Sequence, residues 1–327
     1  MADPAENDQA ALAPFDKILV TGADGFVGAH FVPVLARSLR PGATLALGAR
    51  TEVVDQSTGA CIPFDLTNPA SVRAVIEHVR PDLVVHLAGQ AVTSGSHAAR
   101  DTWALNFGGT LALAEAIGDV VPHATLLAVS SSEVYGRAFN DGPVDETTPL
   151  QPISVYARSK AATEAMLADV LPASSRLIVA RPSNHIGAGQ SVAFAIPAFA
   201  EQIARIERDG GGVLRVGNLE AERDFMAVDD VVAAYLSLIR FADQLPSRTV
   251  FNIASGRLTR IGALLEQLRA LSLADIATEV DPVRWRRLDV PRAEIDASRL
   301  NAATGWFATH SLADALAAVL QTHRQAL

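Results

Sequence analysis

KILVTGADGFVG, residues 17–28, joins a four-residue apolar run to a glycine triplet. Gly22, Gly25 and Gly28 stand in GxxGxxG spacing, between a run that reads as a buried strand and a segment, 26–40, that reads as a helix. Glycines at that junction let backbone N–H groups approach a pyrophosphate at the positive end of the helix. Alone, the triplet fits any tight strand-to-helix turn. Opening the first β-α unit of a sheet, it predicts a dinucleotide site.

The same rhythm continues outward. TLAL (44–47), LVVHLA (83–88), TLLAVS (125–130) and RLIVA (176–180) are short, nearly continuous apolar runs, as parallel strands covered on both faces should be. Helical stretches at 69–79, 101–118 and 155–171 lie between them. Alternation of this kind predicts an α/β fold, a doubly wound parallel sheet of Rossmann type. Pro33, inside the first helix, should kink it. Beyond residue 181 the connections lengthen: a helix at 194–208, a DGGG turn, a strand at 213–218, then a helix at 224–241 and a strand at 249–254 returning to the first sheet. Residues 15–181 with about 224–254 are expected to form the dinucleotide-binding domain. Residues 182–223 with about 255–327 should form a smaller, discontinuous C-terminal substrate lobe, with a ligand cleft between them at the carboxyl ends of the strands.

Composition narrows the function. Of 327 residues, 49% are hydrophobic, enough for a sizeable core, and the net charge of −9 argues against a nucleic-acid surface. One cysteine, Cys61, excludes an internal disulfide and fits a reducing, cytoplasmic setting. The eight histidines show no metal-ligand spacing, so no metal is expected. Residues 1–14 lack a basic n-region and read as a disordered tail, and no apolar run is long enough to span a membrane. The second strand ends in Arg50, where a carboxylate would mark NAD. An arginine fork suits the 2′-phosphate of NADP, although Glu52 leaves NAD open and a plain surface arginine is the alternative.

YARSK (156–160) places Tyr156 and Lys160 at i and i+4, on one face of a helix. A tyrosine with a pKa near ~10 serves acid-base chemistry only if its anion is stabilised, which a lysine one turn away can do. Ser131, at the end of the fourth strand, can hydrogen-bond the same substrate oxygen, or simply cap a turn. The glycine triplet, strand-end serine and YxxxK, in this order, resemble the extended short-chain dehydrogenase/reductase family. So do HLAGQ (86–90), Asn106 in NFGGT and DLTN (65–68). The resemblance covers most of the chain. It implies catalytic roles for Ser131, Tyr156, Lys160 and Glu133. It implies NADP(H) contacts at Gly22, Gly25, Phe26, Val27, Gly28, Arg50, Asp65, Leu66, Leu87, Ala88, Gly89, Asn106, Tyr156 and Lys160. It also implies a homodimer, paired through helices 101–118 and 155–171 in a four-helix bundle.

RPSNHIGAGQS (181–191) is similar to the RPxNHxGPGQ segment of family members acting on GDP-sugars. Segments 199–207, 216–225, 228–235, 251–256 and 281–287 agree with the reductases among them. On that likeness Asn184, Gln190 and Asn218 lie on the substrate side, Arg223 and Arg286 face the diphosphate, and Asp289 accepts a ribose hydroxyl, with Arg284 and Arg287 as alternatives to Arg286. Ser183, Ala188 and Ala227 depart from the pattern, where phenylalanine, proline and aspartate are expected, and the first two could loosen the sugar pocket. His185 reads as a loop brace, and Trp285 and Trp306 as packing. The expected reaction is NADPH-dependent reduction of the C4 ketone of GDP-4-keto-6-deoxy-D-mannose to GDP-6-deoxy-D-mannose. Alternatives are a GDP-mannose 4,6-dehydratase using Glu133, another nucleotide-sugar epimerase or reductase, and a non-catalytic NADP-binding redox sensor. The short connection after the second strand, and the retained Tyr156 and Lys160, favour the reductase.

Overall fold

The structure, a computed structural model, describes residues 15–50, 59–91, 98–285 and 290–327. The expected tail and Glu52 lie outside these residues. In chain order come β1 (Lys17–Thr21), α1 (Phe26–Ser38), β2 (Thr44–Ala49), β3 (Ala60–Pro63), α2 (Pro69–Val79) and β4 (Leu83–His86). A helical segment follows as α3 (Ala98–Trp103), a π-helical turn (Ala104–Gly109) and α4 (Thr110–Val120). Then β5 (Thr125–Val129), α5 (Val155–Val170) and β6 (Arg176–Pro182) complete the first half. The second half holds β7 (Asn184–Ile186), α6 (Ala195–Asp209), β8 (Gly212–Val216), β9 (Glu222–Ala227), α7 (Val228–Arg240), β10 (Arg248–Ile253) and β11 (Leu258–Arg260). It ends with α8 (Ile261–Ala270), β12 (Ile276–Val280), β13 (Arg292–Ala293), α9 (Ser298–Thr304) and α10 (Leu312–Gln325).

Seven strands form one sheet in the order β3-β2-β1-β4-β5-β6-β10, every neighbouring pair parallel. This is the doubly wound sheet that the apolar runs imply. Side chains alternate between its two faces: Ile18 and Val20 join Phe31, Val231 and Tyr235 in one core, while Leu19 joins Leu113, Ile117 and Leu126 in the other. A strand buried on both faces has no solvent side, which is why KILV and LVV carry no polar alternation. The order reverses between β1 and β4, so the carboxyl ends of those two strands open the crevice.

Four local expectations change. Residues 222–227 form β9 ahead of a helix that starts only at Val228, because alternate residues Asp224 and Met226 are buried on one side of an added strand. Residues 60–63 form β3, pairing in parallel with β2. The helix expected over 101–118 is interrupted by the π-helical turn, which carries Asn106. Finally, α1, expected over 26–40, ends at Ser38 with Pro33 inside it.

A separate apolar cluster of Phe199, Ile203, Leu214, Leu264, Leu316 and Leu320 ties α6, β8, α8 and α10 together. Beside it β9 is flanked by β11 and β13 and also pairs with β7. This pairing sets Asn184 opposite Phe225 and Arg223 opposite Thr259.

Candidate active site

The glycine loop is shaped by contact, not only by flexibility. Gly22 has φ +72°, and a Cβ there would lie 2.7 Å from the Ala88 nitrogen. A Cβ on Gly28 would lie 2.3 Å from the Gly22 carbonyl oxygen and 2.6 Å from that of Ala23. Gly25 caps α1 without a side-chain hydrogen bond, and the first turn of α1 carries no acidic residue. A helix start left open in this way attracts an anion through its free N–H groups and the helix dipole. The cradle fits a dinucleotide pyrophosphate. Phe26 and Val27, in that first turn, and Leu87 and Ala88, at the end of β4, are partly buried around it.

Arg50 directly follows β2 and is exposed. Its charge helps hold the Asp65 carboxyl below the usual range, although the larger cause is hydrogen bonding from the side chain and backbone of Thr67. Leu66 is buried against Gly109, where a Cβ would lie 2.5 Å from the leucine Cγ.

Tyr156 and Lys160 rise from α5, whose start is capped by Ser154 accepting from the Ala157 N–H at 3.0 Å. Burial, and then the nearby Glu133 carboxylate, push the Tyr156 phenol above its ordinary range, while a hydrogen bond with Ser131 pulls the other way. The phenol is therefore a protonated donor at neutral pH, and Ser131 is placed to favour the anion left after transfer. The Ser131 hydroxyl also accepts from the Glu133 N–H at 3.1 Å, so the serine caps the following turn as well. Lys160 is 8% exposed and donates to the Val129 carbonyl at 2.7 Å. Desolvation lowers its pKa to about 8, partly offset by Glu164. Gly89 keeps the space above it open, since a Cβ there would lie 3.1 Å from the lysine Nζ.

Behind these groups runs a buried chain that begins with His86, which the sequence reading missed. Thr110 Oγ1 donates to the Asn106 carbonyl at 2.6 Å, so it must accept from His86 Nε2 at 2.9 Å. The imidazole is thus the Nε2–H tautomer, and Nδ1 accepts from Thr21 Oγ1 at 2.7 Å. Burial drives its pKa down to about 3. The Asn106 amide continues the chain, accepting from the Gln90 N–H at 2.8 Å and donating to Gln90 O at 3.1 Å and Ser159 Oγ at 3.0 Å. Ser159 in turn donates to the Tyr156 carbonyl at 2.8 Å. Register supplies the missed signal: Thr21 and His86 pair across the ends of β1 and β4.

On the substrate side the sequence-selected residues are only partly gathered. Asn184 is exposed and donates to the Asp224 carbonyl at 3.4 Å. Gln190 folds back, its amide nitrogen donating to His185 O at 2.9 Å. Arg223 lies on β9, donating to Glu222 O at 2.9 Å. Asn218 accepts from the Glu220 N–H at 2.9 Å. Arg286, Arg287 and Asp289 fall outside the described residues, while Arg284 pairs with Asp281 at 3.5 Å. Ser183 is 3% exposed and donates to the buried Asp224 at 2.9 Å. His185 does brace the loop, bonding Ser183 O at 2.9 Å and stacking on Phe26 at 6.0 Å. Trp306 is packed at 6% exposure, whereas Trp285 is 50% exposed and not a packing residue. Among the described residues no cluster of histidine, cysteine or carboxylate side chains could hold a metal, and no helix is long and apolar enough to cross a membrane.

The family model for the NAD dependent epimerase/dehydratase family matches residues 18–254. The chain is 34% identical over 310 residues to GDP-6-deoxy-D-mannose reductase of Pseudomonas aeruginosa, covering 93% of this chain and 96% of that one. It is 28% identical to GDP-6-deoxy-D-talose 4-dehydrogenase of Aggregatibacter actinomycetemcomitans, over 87% and 90% of the two chains. The solved structure of RMD from P. aeruginosa complexed with NADPH superposes with a TM-score of 0.80 at 33% identity, covering 95% of this chain and 100% of that one. With a glycine cradle, a serine–tyrosine–lysine set and a family match spanning both, the chain belongs to the NAD dependent epimerase/dehydratase family, on the extended short-chain dehydrogenase/reductase fold.

Proposed function

We propose that the protein reduces the C4 ketone of GDP-4-keto-6-deoxy-D-mannose to GDP-6-deoxy-D-mannose, using NADPH. The observation that carries the chemistry is the Tyr156 phenol, held protonated in contact with Ser131 and one helical turn from the Lys160 ammonium. The substrate class rests on the similarity to the P. aeruginosa reductase, which spans nearly all of both chains.

When bound, NADPH supplies the hydride. The glycine cradle and the start of α1 hold its pyrophosphate, and Arg50 takes the 2′-phosphate. Tyr156 gives its proton to the C4 oxygen while Ser131 orients that oxygen. Lys160 stabilises the tyrosinate, and general-acid assistance of this type is worth ~10²–10⁴-fold in rate. Asn184, Gln190, Asn218 and Arg223 contact the nucleotide sugar, within a lobe of residues 182–223 and 255–327. Arg286 and Asp289 complete that set on the sequence likeness. The protein pairs with a second copy through the 101–118 segment and α5, where Trp103 on α3 and Ala165 and Ala168 on α5 are exposed. Light scattering on a size-exclusion column, expected to give twice the chain mass, tests that pairing.

Glu133 supports a second reading, as the base of a 4,6-dehydratase, because its carboxylate acts on Tyr156 and its side chain is exposed. One assay separates the two. Purified protein is given GDP-mannose alone or GDP-4-keto-6-deoxy-D-mannose with NADPH, and nucleotide absorbance and products are followed. Oxidation of NADPH by the keto sugar alone supports the reductase. Conversion of GDP-mannose to the keto sugar without net oxidation would replace it with the dehydratase. Product NMR then distinguishes the manno from the talo configuration at C4.

A further inference from the structure

The face of α5 that carries Tyr156 and Lys160 carries a third polar side chain at the next helical step, Glu164. Nothing in the reaction requires it, yet it is largely buried, at 11% side-chain exposure. Its carboxylate is fully engaged. Arg181, from the end of β6, donates Nε to Oε1 at 3.1 Å and to Oε2 at 3.2 Å, and Nη2 to Oε2 at 2.5 Å. Ser130 donates its hydroxyl to Oε1. The arginine is held in turn: Nη1 donates to the Tyr135 hydroxyl at 2.8 Å, and the guanidinium lies 5.0 Å from the centre of that ring. Tyr135 donates onward to Asn252 at 2.7 Å. A small cavity of ≈ 10 Å³, about one water in size, lies among His86, Ser130, Thr163, Lys160 and Glu164, so the lysine and the carboxylate border the same space.

We propose that Arg181 and Glu164 form a positioning pair for Lys160, in which the arginine fork holds the carboxylate away from the ammonium and so sets both the direction and the proton affinity of the lysine. A carboxylate at i+4 from a lysine ordinarily captures it on the helix surface. Here capture would turn Lys160 away from the Val129 carbonyl. The bidentate arginine wins that competition, because two parallel charge-assisted bonds outweigh one flexible ammonium contact. The remaining charge of Glu164 still acts on Lys160 at short range, offsetting part of the desolvation that would otherwise discharge it. The other titratable groups around Lys160 are His86 on β4, which is neutral, Tyr156 on α5, and Glu133 beyond Tyr156. None of these supplies a compensating negative charge as close as Glu164 does along the helix.

This inference rests on the reductase reading only for its consequence, since the lysine can be read without substrate. The test measures the Lys160 pKa in the full-length protein from the pH dependence of acetic anhydride labelling, quantified by mass spectrometry, in Glu164→Gln and Arg181→Met. Either substitution breaks a buried pair and lowers the melting temperature, as any structural pair would. A positioning pair moves the lysine in opposite directions. Glu164→Gln leaves Arg181 unopposed and lowers the Lys160 pKa by about a unit or more, and Arg181→Met frees the carboxylate and raises it by a similar amount. Should one variant fail to fold, the sign in the other decides. In turnover, the alkaline limb of kcat shifts in the same two directions. Values within about 0.3 unit of the unsubstituted protein, or shifts of one sign in both variants, overturn the proposal. An absence of turnover with shifted lysine values would instead count against the substrate assignment alone.

Discussion

Gly28→Ala isolates the geometry of the cofactor cradle. Its new methyl would sit 2.3 Å from one backbone oxygen and 2.6 Å from another, against a normal nonbonded separation of about 3.5 Å. Both obstacles are main chain, so no flexible side chain can swing away, and α1 or the 22–23 turn must move by roughly 1 Å. Overpacking of this kind costs about 1–3 kcal/mol in stability. The same displacement misaligns the N–H groups that meet the pyrophosphate, and one lost charge-assisted hydrogen bond is worth about 1.5–3 kcal/mol. NADPH affinity should therefore fall roughly ten- to hundredfold, with a lower melting temperature. Gly118→Ala, in α4 and outside the cradle, is the internal control. A Cβ there stands 3.4 Å from the Pro172 side chain, an ordinary contact, so binding should change by no more than about threefold. Nicotinamide fluorescence titration and thermal unfolding of both variants provide the assay. Unimpaired NADPH binding by Gly28→Ala, or equal damage from the two substitutions, would refute the cradle.

Tyr156→Phe should keep NADPH affinity but lose about 10²–10⁴-fold in kcat, and near-normal turnover would remove the tyrosine as proton donor. Arg50→Ala should raise the NADPH dissociation constant far more than the NADH one, and equal effects would take Arg50 off the 2′-phosphate. His86 stays neutral in the folded protein down to about pH 3, whereas the unfolded chain protonates it near 6.5. Its contribution to stability is intact above about pH 6.5 and drains away as pH falls toward 3, on the order of 5 kcal/mol at the limit. Urea unfolding of His86→Gln should show a shallower loss between pH 6.5 and 4, and an unchanged slope would contradict the buried neutral tautomer.

The parallel sheet was legible because strands buried on both faces leave uninterrupted apolar runs, as KILV and TLAL do. Tyr156, Lys160 and Ser131 stood out only through their order after the glycine triplet, which carries the family resemblance, since YxxxK spacing or a strand-end serine alone is common. Other features are set by tertiary contact and leave no local trace. β9 was hidden because ERDFMA reads equally well as the start of the following helix, and only its pairing with β7, β11 and β13 makes it extended. The π-helical turn at 104–109 depends on the Asn106 carbonyl accepting from Thr110 and Thr163, the latter 57 residues away. Ser183 looked like a missing aromatic in a sugar pocket, whereas its hydroxyl answers a buried aspartate on another strand. Glu164 and Arg181 are 17 residues apart, and nothing in either segment announces the other.

α1 also reaches sideways. His30 hydrogen-bonds the Ala188 carbonyl at 2.9 Å, and Phe26 stacks on His185, so the helix that receives the cofactor and the loop at 181–191 are two sides of one partition. Ligands on either side of a shared partition are not independent tenants. If tightening of the first turn of α1 around a pyrophosphate stiffens residues 185–188, reciprocity requires that a ligand seated against the loop return the same free energy to the cofactor. In that case the affinity for the dinucleotide measured alone differs from the one measured with the loop occupied, by that same coupling free energy.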